Sequence, residues 1–262
     1  MAASQRMFGK IMVLAVLLSQ SALLYAQRTA SDAIHHSLNV VINPAIQYIA
    51  VEDTITLPES LNTRNLSFLL NENLNIVDSS TRVEASGRAD SSAAIGINST
   101  GADTAGSNRY ELTLPSRSRN RLELSYEGMI HQPTQQNSAQ YSQSFSETSG
   151  IIEDLGVYLS GASLWVPNFQ DYLVTFDLQV EFTGGYDSWT AVSQGRSTGE
   201  NAWSETNPME EIYLVAADFT TYSMSAADVD MLVYLRQPDS NLANKYLDAT
   251  PVSYTHLRAH ET

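Results

Sequence analysis

Cysteine is absent from all 262 residues of the chain. No disulfide can support the fold, so a hydrophobic core has to do it. The same absence excludes a bacterial lipoprotein anchor, which needs a cysteine behind the export signal. Basic side chains are scarce too: 14 Lys and Arg stand against 29 Asp and Glu, for a formal net charge of −15 at pH 7. That balance argues against nucleic acid as a partner, because neutralising phosphates takes clustered Lys and Arg. The densest basic group, Arg117, Arg119 and Arg121, falls between two strand-like runs and reads as a solvated loop. Acidity itself speaks for solubility and is silent about fold.

Long apolar runs are missing as well, with one exception at the start. Arg6 and Lys10 precede an apolar stretch over residues 11–18 that tails off at Leu24, Tyr25 and Ala26. This is the pattern of a signal peptide over residues 1–26, and its core is shorter than the ~20 residues a bilayer span requires. The expectation is an exported protein, periplasmic or secreted, or membrane-associated if the signal is not cleaved, with no stable span afterwards.

The opposite end carries a different kind of foreign sequence. Residues 252–262 read back through the genetic code as a transposon-end sequencing adapter in one frame, so the native sequence is expected to end near Thr250 or Pro251. Excluding them removes His256 and the pair His260-Glu261, which would otherwise suggest the opening of an H-E-x-x-H zinc site. His35, His36 and His131 remain.

What is present is a succession of short runs with period two, the mark of strands with one buried face. Leu38, Val40 and Ile42 alternate up to Pro44, and a second run over 46–57 stops at Pro58, so the two form an antiparallel hairpin. Further runs lie at 66–70, 74–77, 110–114, 122–126, 157–159, 174–182, 189–192, 213–217 and 231–235. Gly184-Gly185 and Pro208 mark turns between them. Residues 87–107, rich in Ala, Ser, Gly and Asn, cannot offset their ordering entropy and are expected to be a mobile insertion. Residues 132–149 form a polar connector anchored by Tyr141 and Phe145. Only at the end does the period change: Leu242, Ala243, Tyr246 and Leu247 recur at helical spacing behind a cap at Asp239 or Ser240. An all-β domain over 27–238 is thus followed by the start of a helix over 239–251.

Chemistry is thin. Gly-x-Ser-x-Gly, a phosphate-binding Gly-rich loop, H-x-H and H-E-x-x-H are all absent from the native part, so no catalytic residue and no metal ligand is assigned. His35 and His36 are neighbours on a strand and point to opposite faces, so they cannot share a metal and read as surface histidines. Glu153-Asp154 and Glu210-Glu211 are acidic pairs able to hold a cation or an amine, although such pairs in turns are ordinarily solvated. Trp165, Trp189 and Trp203 could serve a glycan-binding sandwich if exposed, and otherwise anchor core and turns.

The second half carries a family likeness. Gly156-Val157-Tyr158-Leu159, Trp165-Val166-Pro167 and Thr175-Phe176-Asp177-Leu178-Gln179-Val180 occur in order. Ala191-Val192-Ser193-Gln194-Gly195 and Glu211-Ile212-Tyr213-Leu214-Val215-Ala216-Ala217 follow. This resembles the N-terminal domain of the aminopeptidase N family of zinc metallopeptidases, also called M1. In the first half, His36 to Pro58 resembles the family's opening hairpin, and Tyr110 to Gly128 its repeated Leu-x-Leu-x-Tyr-x-Gly strand.

The resemblance implies a saddle-shaped, mostly antiparallel β-sandwich packed on a catalytic domain in cis, whose first helix would be the one near Leu242. The zinc site, and the motifs that hold peptide substrates, would lie beyond this chain; zinc is implied for the parent and no cofactor for this part. The resemblance also implies that a carboxylate before the proline turn, here Glu153 or Asp154, holds the substrate's free amine. The usual Phe-Asp-x-Pro turn is replaced by Trp165-Val166-Pro167-Asn168-Phe169, which marks a divergent branch. The competing reading is an exported, non-catalytic β-sandwich that binds a partner, or a relative that has lost its zinc site.

Overall fold

Alternation in the first strand builds the middle of the molecule. The computed structural model describes residues 33–61, 63–89, 106–114, 120–132, 148–226 and 229–260. The expected signal peptide, Arg117, Arg119, Tyr141, Phe145 and most of the two polar segments lie outside the described residues.

In chain order the strands are β1 (Ile34–Asn43), β2 (Tyr48–Thr56), β3 (Asn65–Asn71), β4 (Leu74–Ser79), β5 (Arg82–Ala89), β6 (Ser107–Thr113), β7 (Arg121–Met129) and β8 (Gly150–Glu153). Then come β9 (Gly156–Leu159), β10 (Val174–Phe182), β11 (Thr190–Val192), β12 (Arg196–Gly199), β13 (Ala202–Met209), β14 (Leu214–Ala217), β15 (Thr220–Ala226) and β16 (Val229–Leu235). The helix α1 (Ser240–His260) follows.

β1 buries every second residue: Ile34, His36, Leu38, Val40 and Ile42. A single 3₁₀ turn at Pro44–Ile46, closed by Gln47 in the left-handed region at φ 60°, reverses the chain into β2. β2 buries Ile49, Val51, Asp53 and Ile55. The hairpin is antiparallel, as its two runs predict. On the other edge of β1 lies β10, in parallel register from Ile34 opposite Val174 to Ile42 opposite Phe182. The full sheet has seven strands in the order β12-β13-β10-β1-β2-β7-β4, and that one pairing is its parallel element.

A three-stranded sheet β3-β6-β5 and a four-stranded sheet β11-β14-β9-β8 complete one shared core. Phe68 and Leu112 of the three-stranded sheet and Val157 and Leu214 of the four-stranded sheet join Leu38, Tyr126 and Phe176 of the large one. The fold is therefore all-β, mostly antiparallel and layered, as the period-two runs require.

Several elements escape a periodicity reading. β12 is exposed at every residue, and β15 reads Thr-Thr-Tyr-Ser-Met-Ser-Ala. Such strands exist because a neighbour completes their backbone hydrogen bonds, which leaves no apolar alternation to find. Pro208 lies inside β13 and not in a turn; the β13–β10 register shifts between Val174 and Phe176, where a proline that cannot donate is tolerated. The expected insertion is shorter than residues 87–107: β5 continues through Ala89, and β6 begins at Ser107, which is buried. His36 is not a surface histidine, since it is fully buried; His35, on the opposite face, is the partly exposed one.

The helix begins where its cap predicts. The Asp239 carboxylate accepts from the Leu242 N–H at 2.9 Å and its carbonyl from Ala243 at 2.9 Å. α1 packs on the β15–β16 hairpin with Ala243 and Leu247 buried, so Leu247 finds its cover within this chain, whereas Tyr246 is 54% exposed. The helical backbone continues to His260, across the boundary expected at Thr250 or Pro251. No described helix is long and apolar enough to cross a membrane.

Gly128 shows why the Leu-x-Leu-x-Tyr-x-Gly strand ends in glycine. It faces the β3–β4 turn, and a Cβ there would stand 2.0 Å from the Asn73 carbonyl oxygen. Gly128→Ala is predicted to cost about 1–3 kcal/mol, the range for overpacking, read as a lower denaturation midpoint at unchanged m-value.

Candidate functional site: the cleft beside the proline turn

The chain leaves β9 at Leu159 and makes one 3₁₀ turn over Gly161–Ser163, with Leu164 in the left-handed region at φ 51°. Ser163 Oγ donates to the Ser160 carbonyl at 2.6 Å, and Asn71 Nδ2 donates to the Ser163 carbonyl at 2.7 Å, so this buried corner is hydrogen-bonded. Then comes Trp165-Val166-Pro167-Asn168-Phe169, held from three directions. Leu69 and Asn168 exchange backbone hydrogen bonds at 2.9 Å each, and Trp165 Nε1 donates to the Ile212 carbonyl at 3.0 Å. Phe169 packs on Phe68, with ring centroids 5.4 Å apart. Asn168 Oδ1 accepts from the Gln170 N–H at 2.7 Å and turns the chain toward β10.

This turn forms one wall of a shallow cleft of about 30 Å³. Trp165, Phe169 and Tyr172 supply aromatic and Pro167 aliphatic lining, and Glu210 and Glu211 supply carboxylates. Glu211 is fixed in place. Its Oε1 accepts from the Tyr213 hydroxyl at 2.5 Å, and its other oxygen lies where a Cβ on Gly161 would be, 2.1 Å away. Glycine at 161 is what lets that carboxylate approach the 3₁₀ turn. The hydrogen bond to Glu211, then burial, then the carboxylate's charge push the Tyr213 hydroxyl's pKa well up.

Gln194 braces the same strand entry: its Nε2 donates to the Glu211 carbonyl at 3.2 Å and its Oε1 accepts from the Tyr213 N–H at 2.8 Å. Ser193 Oγ donates to the Tyr213 carbonyl at 2.6 Å. The Ser-Gln that ends the short β11 run therefore holds the carboxylate-bearing segment in place.

Glu153 and Asp154 lie elsewhere. Glu153 is the last residue of β8 and Asp154 stands in the turn to β9, and neither lines the cleft. Asp154 Oδ1 accepts from the Tyr186 hydroxyl at 2.6 Å, which raises that hydroxyl's pKa. The carboxylates that border the turn are Glu210 and Glu211, and Glu211 is half-buried where the sequence suggested a solvated pair. The sequence marks Glu210-Glu211 as an acidic pair but not its place beside the proline turn, because Gly161 and Glu211 meet only through tertiary packing. Trp165 and Trp189 are buried, and Trp203 is half-buried with its Nε1 donating to the Ala191 carbonyl at 3.0 Å, so none offers an open stacking face.

Chemically, a small cleft with an apolar wall and carboxylates at its edge suits a protonated amine or another small cation. Among the described residues no three His, Cys, Asp or Glu side chains come together in a way that could hold a metal ion. No chemical step is assigned to these residues. Glu211→Gln is expected to return the Tyr213 hydroxyl toward the ordinary tyrosine range, since the charged acceptor that holds its proton is gone. A ring-carbon NMR titration with Tyr213 assigned would reveal this, and an unmoved titration would contradict the Glu211 contact.

No family profile matches the chain, and no curated protein sequence matches it. Solved structures do. A mutant M1 zinc metallopeptidase from Deinococcus radiodurans, bound to a Tyr-Ser-Ala substrate, is 16% identical over 78% of this chain and 46% of its own, with a TM-score of 0.51. An aminopeptidase N family protein from Idiomarina loihiensis is 13% identical over 78% of this chain and 32% of its own, with a TM-score of 0.43. Yeast LTA4 hydrolase with bestatin is 15% identical over 72% of this chain and 29% of its own, also at 0.43. The chain spans less than half the length of each, and what it shares with the Deinococcus enzyme is the fold.

Proposed function

We propose that this chain is the N-terminal, non-catalytic β domain of an exported zinc-dependent aminopeptidase, whose catalytic domain follows in cis. The observation that carries the reading is the common fold with the Deinococcus metallopeptidase over 78% of this chain. The ordered turn and strand motifs from Gly156 to Ala217 agree with it. The role of the domain is then to build one side of a substrate cleft and to place a carboxylate near the incoming amine. Zinc, bound by the following domain, supplies the hydrolytic chemistry. Tyr246 and Leu242, exposed on α1, are suited to pack against that domain.

Reading the native locus beyond codon 250 tests the proposal directly. A frame that continues into G-x-M-E-N and H-E-x-x-H supports it. A frame that continues without zinc ligands, or stops, overturns it in favour of an exported binding module.

In the full-length protein the amine-holding group can then be identified. If Glu153 and Asp154 hold the amine, the double change to Gln and Asn raises KM for aminoacyl substrates about tenfold, the loss of one charge-assisted hydrogen bond. A KM that rises with Glu211→Gln and stays put with the double change assigns the amine to the cleft carboxylate.

A further inference from the structure

Beneath the cleft the core holds a charge-bearing pair that the aminopeptidase reading does not use. His36 Nδ1 and Asp53 Oδ2 are 2.8 Å apart, and both side chains are fully buried. Asp53 pairs with Leu38 across β1 and β2, so His36 reaches it diagonally on the core face. Three polar atoms in this region are buried without a hydrogen-bond partner: His36 Nε2, Asp53 Oδ1 and the Tyr126 hydroxyl. Two leucines in place of the pair would remove the first two of these atoms, so the pair is a poor device for stability alone. It does one thing that leucines cannot, which is hold a proton.

We propose that the His36–Asp53 pair is a buried proton-holding switch that ties the central sheet, and the cleft wall resting on it, to pH. Carrying one proton beyond a neutral imidazole and an ionised carboxylate, the pair has no net charge. Without that proton, a net negative charge sits in an apolar core.

The groups facing the pair do little to offset that charge. β7 offers the Tyr126 hydroxyl, whose pKa is pushed up by burial and by Asp53 itself. His35 acts from the far face of β1. Opposite His36, β10 presents Phe176, and the proline turn presents Phe169, neither of them titratable.

Burial raises the Asp53 carboxyl above its ordinary value of 3.8, opposed in part by His36. A group raised in the folded state contributes stability in full below its unfolded value, and that contribution is lost as pH rises through the folded one. The wall is linked to the pair by contact: the His36 ring lies 6.3 Å from that of Phe169, and the Leu69–Asn168 hydrogen bonds pin the same segment.

The test is chemical denaturation of the full chain from about pH 3.5 to 9, which spans the window above the ordinary carboxyl value, beside the double variant His36→Leu/Asp53→Leu. The folding constant of the natural sequence should fall, relative to the variant's, by up to about tenfold per pH unit, the slope for one linked proton. Amide protection at Leu69 and Asn168, corrected for intrinsic exchange, should fall with it. Parallel stability profiles would overturn the switch, and amide protection that ignores pH would overturn its link to the wall. If the double variant does not fold, Asp53→Asn, which keeps the shape and removes the buried carboxyl, serves with the same two outcomes. Neither outcome depends on the aminopeptidase reading.

Discussion

Everything in this fold depends on β1 having a partner on both edges. Its inner edge is closed by the hairpin with β2, a local event, and its outer edge by β10 in parallel. The second pairing sets the register of Phe176, Leu178, Val180 and Phe182 against the core. It also fixes where the preceding loop must end, since the Ile34 N–H donates to the Leu173 carbonyl at 2.9 Å. The proline turn is caught between that anchor, the Leu69–Asn168 exchange and the Trp165–Ile212 bond. The cleft is what remains open when these three constraints are met at once.

How much of this was legible from sequence follows from which strands bury a face. β1, β2, β7 and β10 carry mostly apolar residues at alternate positions, and their existence and the antiparallel β1–β2 hairpin were readable. β12, β13 and β15 bury little, so their side chains hold no periodic record of the backbone pairing that makes them strands. In β3 the opposite occurs: Leu69 and Leu70 are both buried, so alternation is lost where Asn168 pairs with the strand's edge. His36 illustrates the limit for single residues. Strand geometry correctly separated it from His35, but whether a face is inside or outside depends on which sheets later stack there.

The cleft was half readable. Its aromatic wall is contiguous in sequence and stood out as a motif, whereas its carboxylate arrives from Glu211, beyond β13. Glycine at 161 was a silent clue, intelligible only once the Glu211 side chain is seen to occupy its missing Cβ. Ser193 and Gln194 looked like a family signature and prove to be hydrogen-bonding braces for the segment that carries Glu211. A motif can thus mark a site by shaping its support while touching no ligand itself.

The parallel pairing at the centre has a kinetic side. Ile34 meets Val174, so the contact spans 174 − 34 = 140 positions. Loop-closure entropy grows slowly with such a separation, but contacts of this kind form late. As the chain emerges from the N-terminus, β1 and β2 can pair early and then wait, with the outer edge of β1 bare, for nearly the whole domain to be made. An unpaired central edge is a template for the wrong strand. The yield of folded protein therefore depends on how long that edge stays open as well as on the contacts of the finished core.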